Sequence, residues 1–519
     1  MILYGLLSQE LKKKLLAAMF LLAISGVIDT AFVVLMATYL KQIFLQDTVK
    51  SHRIELVSAI YILIIFSFKV FFGLYSQNYG CKLACDIRNY LQVILIKKII
   101  DINSSIFGNK SSKSKNISMV FNETQKLQAG YILPILTLPS DIVAIIGIIS
   151  YLLYVNIEAF ICIFIIGITV ILAPILYARK KLALCGEKIK ENEVDLIHAI
   201  ESISDGDVEI VSSRNVSNFI SRSEKLFHSN KELYFDAYIY SQLPRYAVEY
   251  SFYLVIVLII CITILTSQSE LFLAIVPAFA FGLLRIMPSL NKMAYFISSY
   301  SFTKKYRDGI VLNLKNTITD TDNLIENKNF QSISFGGLNF KRNLIYLLKG
   351  KSGSGKTTFV NKMLGMNGDA ELIIDGVRLN KKLFNLVNLH YISQNSYFEE
   401  TNFFENFKLF ARNKLEFESI LNSVKTLMPK FDISNYDGND ISFKRKISGG
   451  ELQKLAIIRS LINRPDMLIF DEATSAMDES SINDVMKFLI DYKNQVGCLI
   501  IIISHQDLVA KFADITYEF

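Results

Sequence analysis

Six long apolar segments in the first three hundred residues constrain the fold of this chain more than any other feature. They are Leu15–Leu40, Leu56–Tyr75, Tyr131–Tyr154, Ile157–Tyr177, Tyr246–Leu265 and Leu271–Ser289. Each approaches the ~20 apolar residues that a helix needs to cross the hydrocarbon core of a bilayer. The whole chain of 519 residues is 51% hydrophobic, which is too apolar for a soluble protein of this size. The sequence therefore predicts a multi-pass membrane protein with six spanning helices.

The connections between these segments alternate in length, and this predicts the topology. The first, third and fifth connections are short, whereas the second and fourth run for about fifty residues or more. The long connections carry most of the basic residues, including Lys82, Arg88, Lys97, Lys98, Arg179, Lys180 and Lys181. By the positive-inside rule the long connections and both termini are cytoplasmic, so the chain lies in the cytoplasmic membrane. The net charge of +7 is therefore assigned to membrane topology, and no nucleic-acid partner is predicted.

Within the long connections, apolar residues recur at three- and four-residue spacing, which predicts helices that continue well beyond the membrane. Two short polar breaks interrupt them, at Asp101–Ser114 and at Ser212–Asn218. The chain can reverse at these breaks and contact a cytoplasmic domain. The alternative is that the connections are unstructured loops. A polar stretch at Asn313–Lys328 is the natural linker to the rest of the chain.

After the linker, the stretch GKSGSGKTT fits the phosphate-binding pattern G-x-x-x-x-G-K-[ST]. It follows an apolar run that suits a buried strand and precedes a segment that can begin a helix. In this setting backbone N–H groups and the lysine bind phosphate oxygens, and the threonine hydroxyl can bind Mg²⁺. The alternative is a chance glycine-rich turn. The predicted contacts are Gly350, Ser352, Gly353, Ser354, Gly355, Lys356, Thr357 and Thr358.

Further motifs follow in a fixed order, and several of them end apolar runs that suit strands. In chain order they are Gln394 after LHYIS, ISGGE at Ile447–Glu451, MLIFDE ending at Asp471 and Glu472, SAMD at Ser475–Asp478, and His505 after CLIIIIS. Asp471 is placed to bind Mg²⁺, and Glu472 can polarise an attacking water. For His505 we predict a contact with a γ-phosphate, the alternative being a structural histidine.

At ISGGE the chain resembles the ATP-binding cassette (ABC) superfamily, and with six preceding spans it is similar to a half-exporter. The resemblance implies a homodimer that uses ATP and Mg²⁺. Each ATP would lie between Gly350–Thr358 of one subunit and Ser448, Gly449, Gly450 and Glu451 of the other. Gln394 would bind Mg²⁺ and sense the membrane domain, and Asp478 would link the two sites. The two polar breaks match the places where exporters carry their coupling helices.

The predicted fold is an α-helical transmembrane domain over residues 1–312, a linker over 313–328 and a C-terminal α/β P-loop ATPase domain over 329–519. Two features depart from the family pattern. The family has an aromatic residue that stacks on adenine roughly 25 positions before the phosphate loop, but here that position falls in TDTDNLIE and the next aromatic is Phe330. In the signature, Glu451 replaces the usual glutamine. Because its carboxylate can cap a helix, we expect this change to tune activity and not to abolish it.

Ionisable residues within the spans point to the substrate, because each costs about 2.5–3.5 kcal/mol in a bilayer and usually faces a cavity or a partner. They are Asp29, Lys69, Asp141, Arg245, Glu249 and Arg285. We predict that Arg285, Arg245 and Lys69 contact an anionic substrate. The alternatives are an Arg245–Glu249 pair along one helix face, and for Arg285 a pair with Asp29 or Asp141 or an interfacial position.

The strings QLPRYAVEY and LLRIMPSLNK are similar to those of the lipid-linked oligosaccharide flippase branch of half-exporters. This resemblance implies an anionic lipid-linked or other amphipathic substrate. Two alternatives remain open. One is export of a peptide such as a bacteriocin, and the other is a membrane-anchored P-loop switch that transports nothing. The spacing from ISGGE to MLIFDE argues against the switch.

Overall fold

The computed structural model describes residues 4–5, 7–45, 52–100, 110–205, 216–266, 269–315, 329–351, 353–365, 370–394, 396–399, 402–411, 417–429, 431 and 447–519. The described residues fall into two compact units, one ending at residue 315 and the other beginning at residue 329. The N-terminal unit is helical, and the C-terminal unit combines helices with two sheets.

The helices of the N-terminal unit are α1 (Gln9–Leu45), α2 (His52–Ile100), α3 (Lys110–Ile117), α4 (Thr124–Leu127), α5 (Leu133–Val155), α6 (Ile157–Asp205), α7 (Val216–Thr266), α8 (Ser269–Phe302) and α9 (Lys304–Lys315). Each predicted span lies in one of the six long helices, except that the third begins in the π-helical stretch Gln128–Ile132 just before α5. Among the described residues, three stretches are long and apolar enough to cross a membrane: Gln9–Tyr39, Ile60–Ile99 and Ser114–Val155.

Three of these helices are much longer than a membrane is thick. α2 and α6 have 49 residues each and α7 has 51. At 1.5 Å per residue each is about 75 Å long, against ~30 Å of hydrocarbon. The prediction that the long connections are helical is therefore confirmed. Residues 101–109 of the first polar break and residues 212–215 of the second lie outside the described residues, and so does most of the linker, residues 316–328. The domain boundary at 312/313 stays a prediction, and α9 continues to Lys315.

Glycines bring neighbouring helices of this unit into backbone contact. A Cβ atom built on Gly26 of α1 would lie 2.3 Å from the carbonyl oxygen of Ser140 in α5. A Cβ atom on Gly186 of α6 would lie 2.2 Å from the carbonyl oxygen of Phe302, at the end of α8. Between membrane helices, where lipid is as apolar as the side chains, such small-residue contacts supply much of the packing energy.

The C-terminal unit contains two sheets. The strands are β1 (Ser332–Phe335), β2 (Leu338–Lys341), β3 (Ile345–Lys349), β4 (Ala370–Ile374), β5 (Val377–Lys381), β6 (Leu389–Ile392), β7 (Met467–Asp471), β8 (Leu499–Ile503) and β9 (Ile515–Glu518). The order β2-β1-β4-β5 forms an antiparallel sheet, and the order β6-β7-β8-β3-β9 forms a parallel one. The predicted strands before the phosphate loop, Gln394, Asp471 and His505 are all present.

Helices cover the parallel sheet, and its central strands are apolar throughout. Those helices are α10 (Lys356–Leu364), α11 (Phe403–Lys408), α12 (Phe417–Leu427), α13 (Gly449–Ser460), α14 (Glu479–Val496) and α15 (Asp507–Ala510). Every residue of β7 and β8 is buried, as expected for parallel strands with both faces covered. One core cluster joins the sheet to α12, α13 and α14, and a second joins it to α10 and the antiparallel sheet. The predicted class, a helical membrane domain followed by an α/β domain, is confirmed.

We predict that Gly26→Ala destabilises the membrane unit although alanine is the better helix former. The added methyl group would overlap the Ser140 carbonyl oxygen, and overpacking of this kind costs about 1–3 kcal/mol. Gly73→Ala is the matched control, because Gly73 is also helical but has no atom within 4 Å of its added Cβ. Thermal unfolding in detergent should show a lower midpoint for Gly26→Ala and an equal or higher one for Gly73→Ala. Equal midpoints for the two variants would contradict the close α1–α5 contact.

Candidate active site and membrane charge network

The carboxyl ends of four parallel strands meet at one edge of the C-terminal sheet. The phosphate loop follows β3, Gln394 follows β6, Asp471 ends β7 and His505 follows β8. Parallel strands present their carboxyl ends at the same edge, and ligands of α/β proteins bind there. The fold thus places the predicted phosphate, metal and hydrolysis residues at one edge of the sheet. Gln394 is exposed beyond β6, the direct neighbour of β7.

The phosphate loop has the backbone that its glycines permit. Gly353 and Gly355 have φ angles of 84° and 95°, which side chains disfavour, and Gly355 is the N-cap of α10. Lys356 is only 5% exposed, and its Nζ donates to the carbonyl oxygens of Gly350 at 2.9 Å and Lys351 at 2.8 Å. The ammonium group is therefore fixed against the loop, beside a helix N-terminus that favours anions.

Other residues of the loop complete this picture. Ser354 accepts a hydrogen bond from the Lys356 ammonium group at 3.2 Å. Thr357 and Thr358 lie in the first turn of α10, and both residues are exposed. This turn is at the edge of the sheet where the parallel strands end. Ser352 lies outside the described residues.

The carboxylate of Asp471 joins two elements of the site. Thr357 Oγ1 donates to its Oδ1 at 3.0 Å, and the hydroxyl of Tyr391 in β6 donates to its Oδ2 at 2.7 Å. Burial, and next the bond to Asp471, raises the pKa of Tyr391 above its usual range, so the phenol keeps its proton. A hydroxyl and a carboxylate are the hard oxygen ligands that Mg²⁺ prefers, so Thr357 and Asp471 suit this metal. The sequence alone did not point to Tyr391.

Glu472 occupies a strained backbone position directly after β7. Its φ angle is 52°, a left-handed conformation that costs a non-glycine residue about 1–3 kcal/mol. Its backbone N–H donates to the carbonyl oxygen of Ile503 in β8 at 3.0 Å, which holds this conformation. The side chain points toward His505, with 3.9 Å between Glu472 Oε1 and His505 Nδ1. The two residues predicted for hydrolysis are therefore adjacent.

The ISGGE stretch forms the N-terminus of α13, and Glu451 caps it. The Glu451 side chain accepts from the Ser448 backbone N–H at 2.9 Å and from the Ser448 hydroxyl at 2.7 Å, while Ser448 Oγ accepts from the Glu451 N–H. The predicted capping role of this carboxylate is confirmed. Gly449 and Gly450 open the helix, and a Cβ atom on Gly450 would lie 2.9 Å from the carbonyl oxygen of Ala476.

A buried glutamine connects this helix to the SAMD stretch. Gln453 accepts from the backbone N–H of Ala476 at 3.1 Å and donates to the Ser475 hydroxyl at 3.3 Å. Asp478 occupies the N-cap position of α14, and its carboxylate accepts from the Ser480 hydroxyl at 2.6 Å. Bonds from the hydroxyl groups of the following serines lower the pKa of Asp478 to about 2, so it is ionised at neutral pH. The sequence analysis did not point to Gln453.

Phe330, the first aromatic residue after the linker, is fully buried in the core beneath the antiparallel sheet. The guanidinium of Arg342 lies 5.8 Å from the centre of its ring. Its ring therefore does not present a face to a nucleotide base.

Comparison with known proteins identifies both units. The family model for the ABC transporter transmembrane region matches residues 15–273, and the model described as ABC transporter matches residues 336–475. The chain belongs to the ABC transporter family. It is also similar to a solved structure, described as a bacterial Atm1-family ABC exporter with ATP bound, with a TM-score of 0.80 and 14% sequence identity over 98% of this chain and 94% of that one. At this identity the likeness shows the fold alone.

This ABC transporter carries one transmembrane domain and one ATPase domain in a single chain, which makes it a half-exporter. It is an ATP-hydrolysing membrane transporter, with Mg²⁺ as the usual partner ion of the nucleotide. The alternative of a P-loop switch without transport is set aside by membership of this family.

The membrane domain of the transporter contains a network of charged residues from four helices. Asp29 in α1 forms ion pairs with Arg285 in α8 and, at 3.2 Å, with Lys69 in α2. Arg285 also donates to Ser289 Oγ at 3.3 Å, and Ser289 in turn donates to Oδ1 of the buried Asp141 in α5 at 3.0 Å. Of the alternatives considered for Arg285, the structure realises the pair with Asp29.

Lys292 of α8 extends this network, with its Nζ 3.4 Å from Asp141 Oδ1. Arg245, the third residue predicted to contact substrate, does not join it. Arg245 pairs with Glu249 one turn further along α7, at 2.9 Å, and its side chain is 60% exposed. The structure thus brings together Arg285 and Lys69 and leaves Arg245 in the local pair.

We predict that Glu472→Gln keeps nucleotide binding but lowers ATP turnover by about 10²–10⁴-fold, because it removes the group that orients water while Lys356, Thr357 and Asp471 are unchanged. Phosphate release by the purified protein in detergent would measure this. Glu479→Gln, which changes an exposed carboxylate at the start of α14, is the control and should turn over normally. Turnover of Glu472→Gln within about threefold of the wild type would contradict the assignment.

We further predict that Tyr391→Phe raises the Mg²⁺ concentration needed for half-maximal ATPase activity by about tenfold, the usual effect of losing a group that orients a metal ligand. The matched control is Tyr517→Phe, which loses a single hydrogen bond to the Asn339 carbonyl oxygen on another strand. A Mg²⁺ titration of ATPase activity separates the two. If Tyr391→Phe slowed turnover at every Mg²⁺ concentration without shifting the midpoint, Tyr391 would not be positioning Asp471.

Proposed function

We propose that this half-exporter works as a homodimer that uses ATP to flip or export an anionic amphipathic substrate, namely a lipid-linked oligosaccharide or a related glycolipid. It would do so in the cytoplasmic membrane, with both termini on the cytoplasmic side. The observation that carries the substrate class is the charge network of Asp29, Lys69, Asp141, Arg285 and Lys292.

This network holds more positive than negative charge. Three cations, Lys69, Arg285 and Lys292, meet two carboxylates, Asp29 and Asp141. An uncompensated charge within a bilayer is costly, so a surplus cation there favours an anionic partner. A pyrophosphate that links a glycan to its lipid supplies that charge at the depth where the lipid meets its headgroup.

Arg285 is the residue best suited to the phosphate groups of such a substrate. Its side chain is 20% exposed, and its planar guanidinium offers paired donors that match phosphate oxygens. A substrate phosphate would compete with Asp29 for these donors. Asp29 would not be left unpaired, because Lys69 binds its other oxygen at 3.2 Å. The network therefore allows Arg285 to exchange partners without isolating a buried charge.

The contacts of the signature helix support the homodimer. In the described part of the chain, the hydrogen bonds of Ser448, Glu451 and Gln453 remain within α13 or go to the SAMD stretch, and none reaches the phosphate loop. A nucleotide on one phosphate loop would then meet the signature of a second copy. We propose that Ser448, Gly449, Gly450 and Glu451 act in this way, with Asp478 between the two sites.

Within each site we propose the following roles. Lys356 and the loop amides bind the phosphates, and Thr357, Asp471 and Gln394 bind Mg²⁺ when the nucleotide is present. Glu472 orients the attacking water, and His505 contacts the γ-phosphate. Because Glu472 and His505 are both present, each of the two sites in a homodimer would be competent for hydrolysis.

We predict that Arg285→Ala removes the stimulation of ATPase activity by a pyrophosphate-linked lipid glycan while leaving basal hydrolysis near normal. Arg285→Lys should be intermediate, because a lysine presents a point charge in place of the planar fork. The protein would be reconstituted in proteoliposomes, and both ATPase activity and movement of the glycolipid across the bilayer would be measured. The control is Lys14→Ala, which removes a cation of α1 that pairs with Glu10 outside the network.

Two results would count against the proposal. Transport of the glycolipid by Arg285→Ala at the wild-type rate would exclude a substrate role for this residue. Loss of basal hydrolysis together with a lowered thermal midpoint would instead show that the Asp29–Arg285 pair serves to hold α1 against α8.

A further inference from the structure

A second concentration of positive charge lies where α6 leaves the apolar part of the membrane domain. A cavity of about 490 Å³ opens there between α6 and the junction of α8 with α9. Its volume is within the range of small-molecule sites. Four cations line it, namely Arg179, Lys180, Lys304 and Lys305. This cavity shares no residue with the charge network described above.

The cations of the cavity are largely uncompensated. Its acidic residue, Glu187, pairs with Lys305 at 2.5 Å, and this bond raises the pKa of Lys305. In the described part of the chain, no carboxylate forms an ion pair with Arg179, Lys180 or Lys304. The cavity therefore carries several positive charges that are free to bind an anion.

One wall of the same cavity is apolar. It is formed by Leu176, Ala183 and Leu184 of α6, and Leu176 and Leu184 are 55% and 50% exposed. Leu176 lies in the predicted span Ile157–Tyr177, and the cations Arg179 and Lys180 follow it along the same helix, α6. A soluble anion would make no use of this wall, whereas a lipid would cover it with an acyl chain.

The depth of the cavity matches the headgroup layer of a bilayer. Arg179 lies 22 residues after the start of α6 at Ile157, which corresponds to ~33 Å of helix, close to the ~30 Å thickness of the hydrocarbon core. The backbone contact between Gly186 and Phe302 holds α6 against the end of α8 beside the cavity. The cations are thus held where phospholipid phosphates lie.

We propose that this cavity binds the anionic headgroup of a bilayer phospholipid, with an acyl chain along Leu176 and Leu184. Basic pockets between transmembrane helices on the cytoplasmic side suit such headgroups. The site would tie the activity of the transporter to the anionic lipid content of the membrane. This inference does not depend on the proposed substrate, because it concerns an ordinary membrane lipid and a different set of residues.

The test titrates the full-length protein in detergent with phosphatidylglycerol or phosphatidylcholine and counts bound lipids by native mass spectrometry. The wild type should bind phosphatidylglycerol at least about tenfold more tightly than phosphatidylcholine. The triple variant Arg179→Gln, Lys180→Gln, Lys304→Gln should lose most of this preference.

The matched control removes three exposed cations outside the cavity, one from α6 and two from the neighbouring α7: Lys188→Gln, Arg222→Gln and Lys225→Gln. It should keep the preference for phosphatidylglycerol. An equal loss in both triple variants would mean that binding reflects only surface charge and would overturn the proposal. Retention of the preference in both would overturn it as well.

A second variant keeps every charge and fills the space. Ala183→Phe places a ring in the cavity, so it should weaken binding of phosphatidylglycerol even if the triple variant fails to fold. Unchanged binding by Ala183→Phe would show that the lipid does not enter the cavity, as would be the case if a second protein subunit filled it. Competition by soluble glycerol phosphate as strong as that by the lipid would show a simple anion site and exclude the lipid.

Discussion

Backbone polar groups have no water to bind in the hydrocarbon core, and the architecture of this transporter depends on that constraint. It requires each apolar segment to be a continuous helix, because only a helix satisfies its own N–H and C=O groups. A helix that crosses the membrane can continue into water at little cost, as α2, α6 and α7 do, each with a total length of about 75 Å. The same helices that cross the bilayer thus also form the extensions outside it.

Carboxylate groups have different kinds of partner in the two units. In the membrane domain, Asp29 forms ion pairs with two cations, so that it keeps one partner if the other is lost. In the ATPase domain, Asp471 accepts hydrogen bonds from neutral hydroxyl groups of Thr357 and Tyr391, which leaves its negative charge available for a metal ion. Glu451 shows a third arrangement. Its carboxylate already accepts hydrogen bonds from the Ser448 backbone N–H and hydroxyl, which explains how this position accommodates an acidic residue.

Much of this fold follows from local sequence patterns, and the parts that do not follow from them have a common cause. The length of each apolar segment predicts the spans, and the apolar runs before the motifs predict the strands that carry Asp471 and His505. Both can be predicted because each depends on one continuous stretch of sequence. Tyr391 becomes part of the site only through the register that pairs β6 with β7, where Ile392 lies opposite Phe470. The choice of Asp29 over Asp141 as the ion-pair partner of Arg285 likewise depends on how helices rotate against one another. Such relations arise from packing and leave no periodic signal in the chain.

The backbone of Glu472 has a consequence for how this protein can vary. A side chain held at a φ angle of 52° stores energy that glycine would release, so the chain would gain stability from a substitution that removes the carboxylate proposed to orient the attacking water. Selection for heat resistance alone would therefore favour the loss of this carboxylate. A screen that scores only expression or melting temperature would therefore enrich variants that lack this carboxylate, whether or not they still hydrolyse ATP.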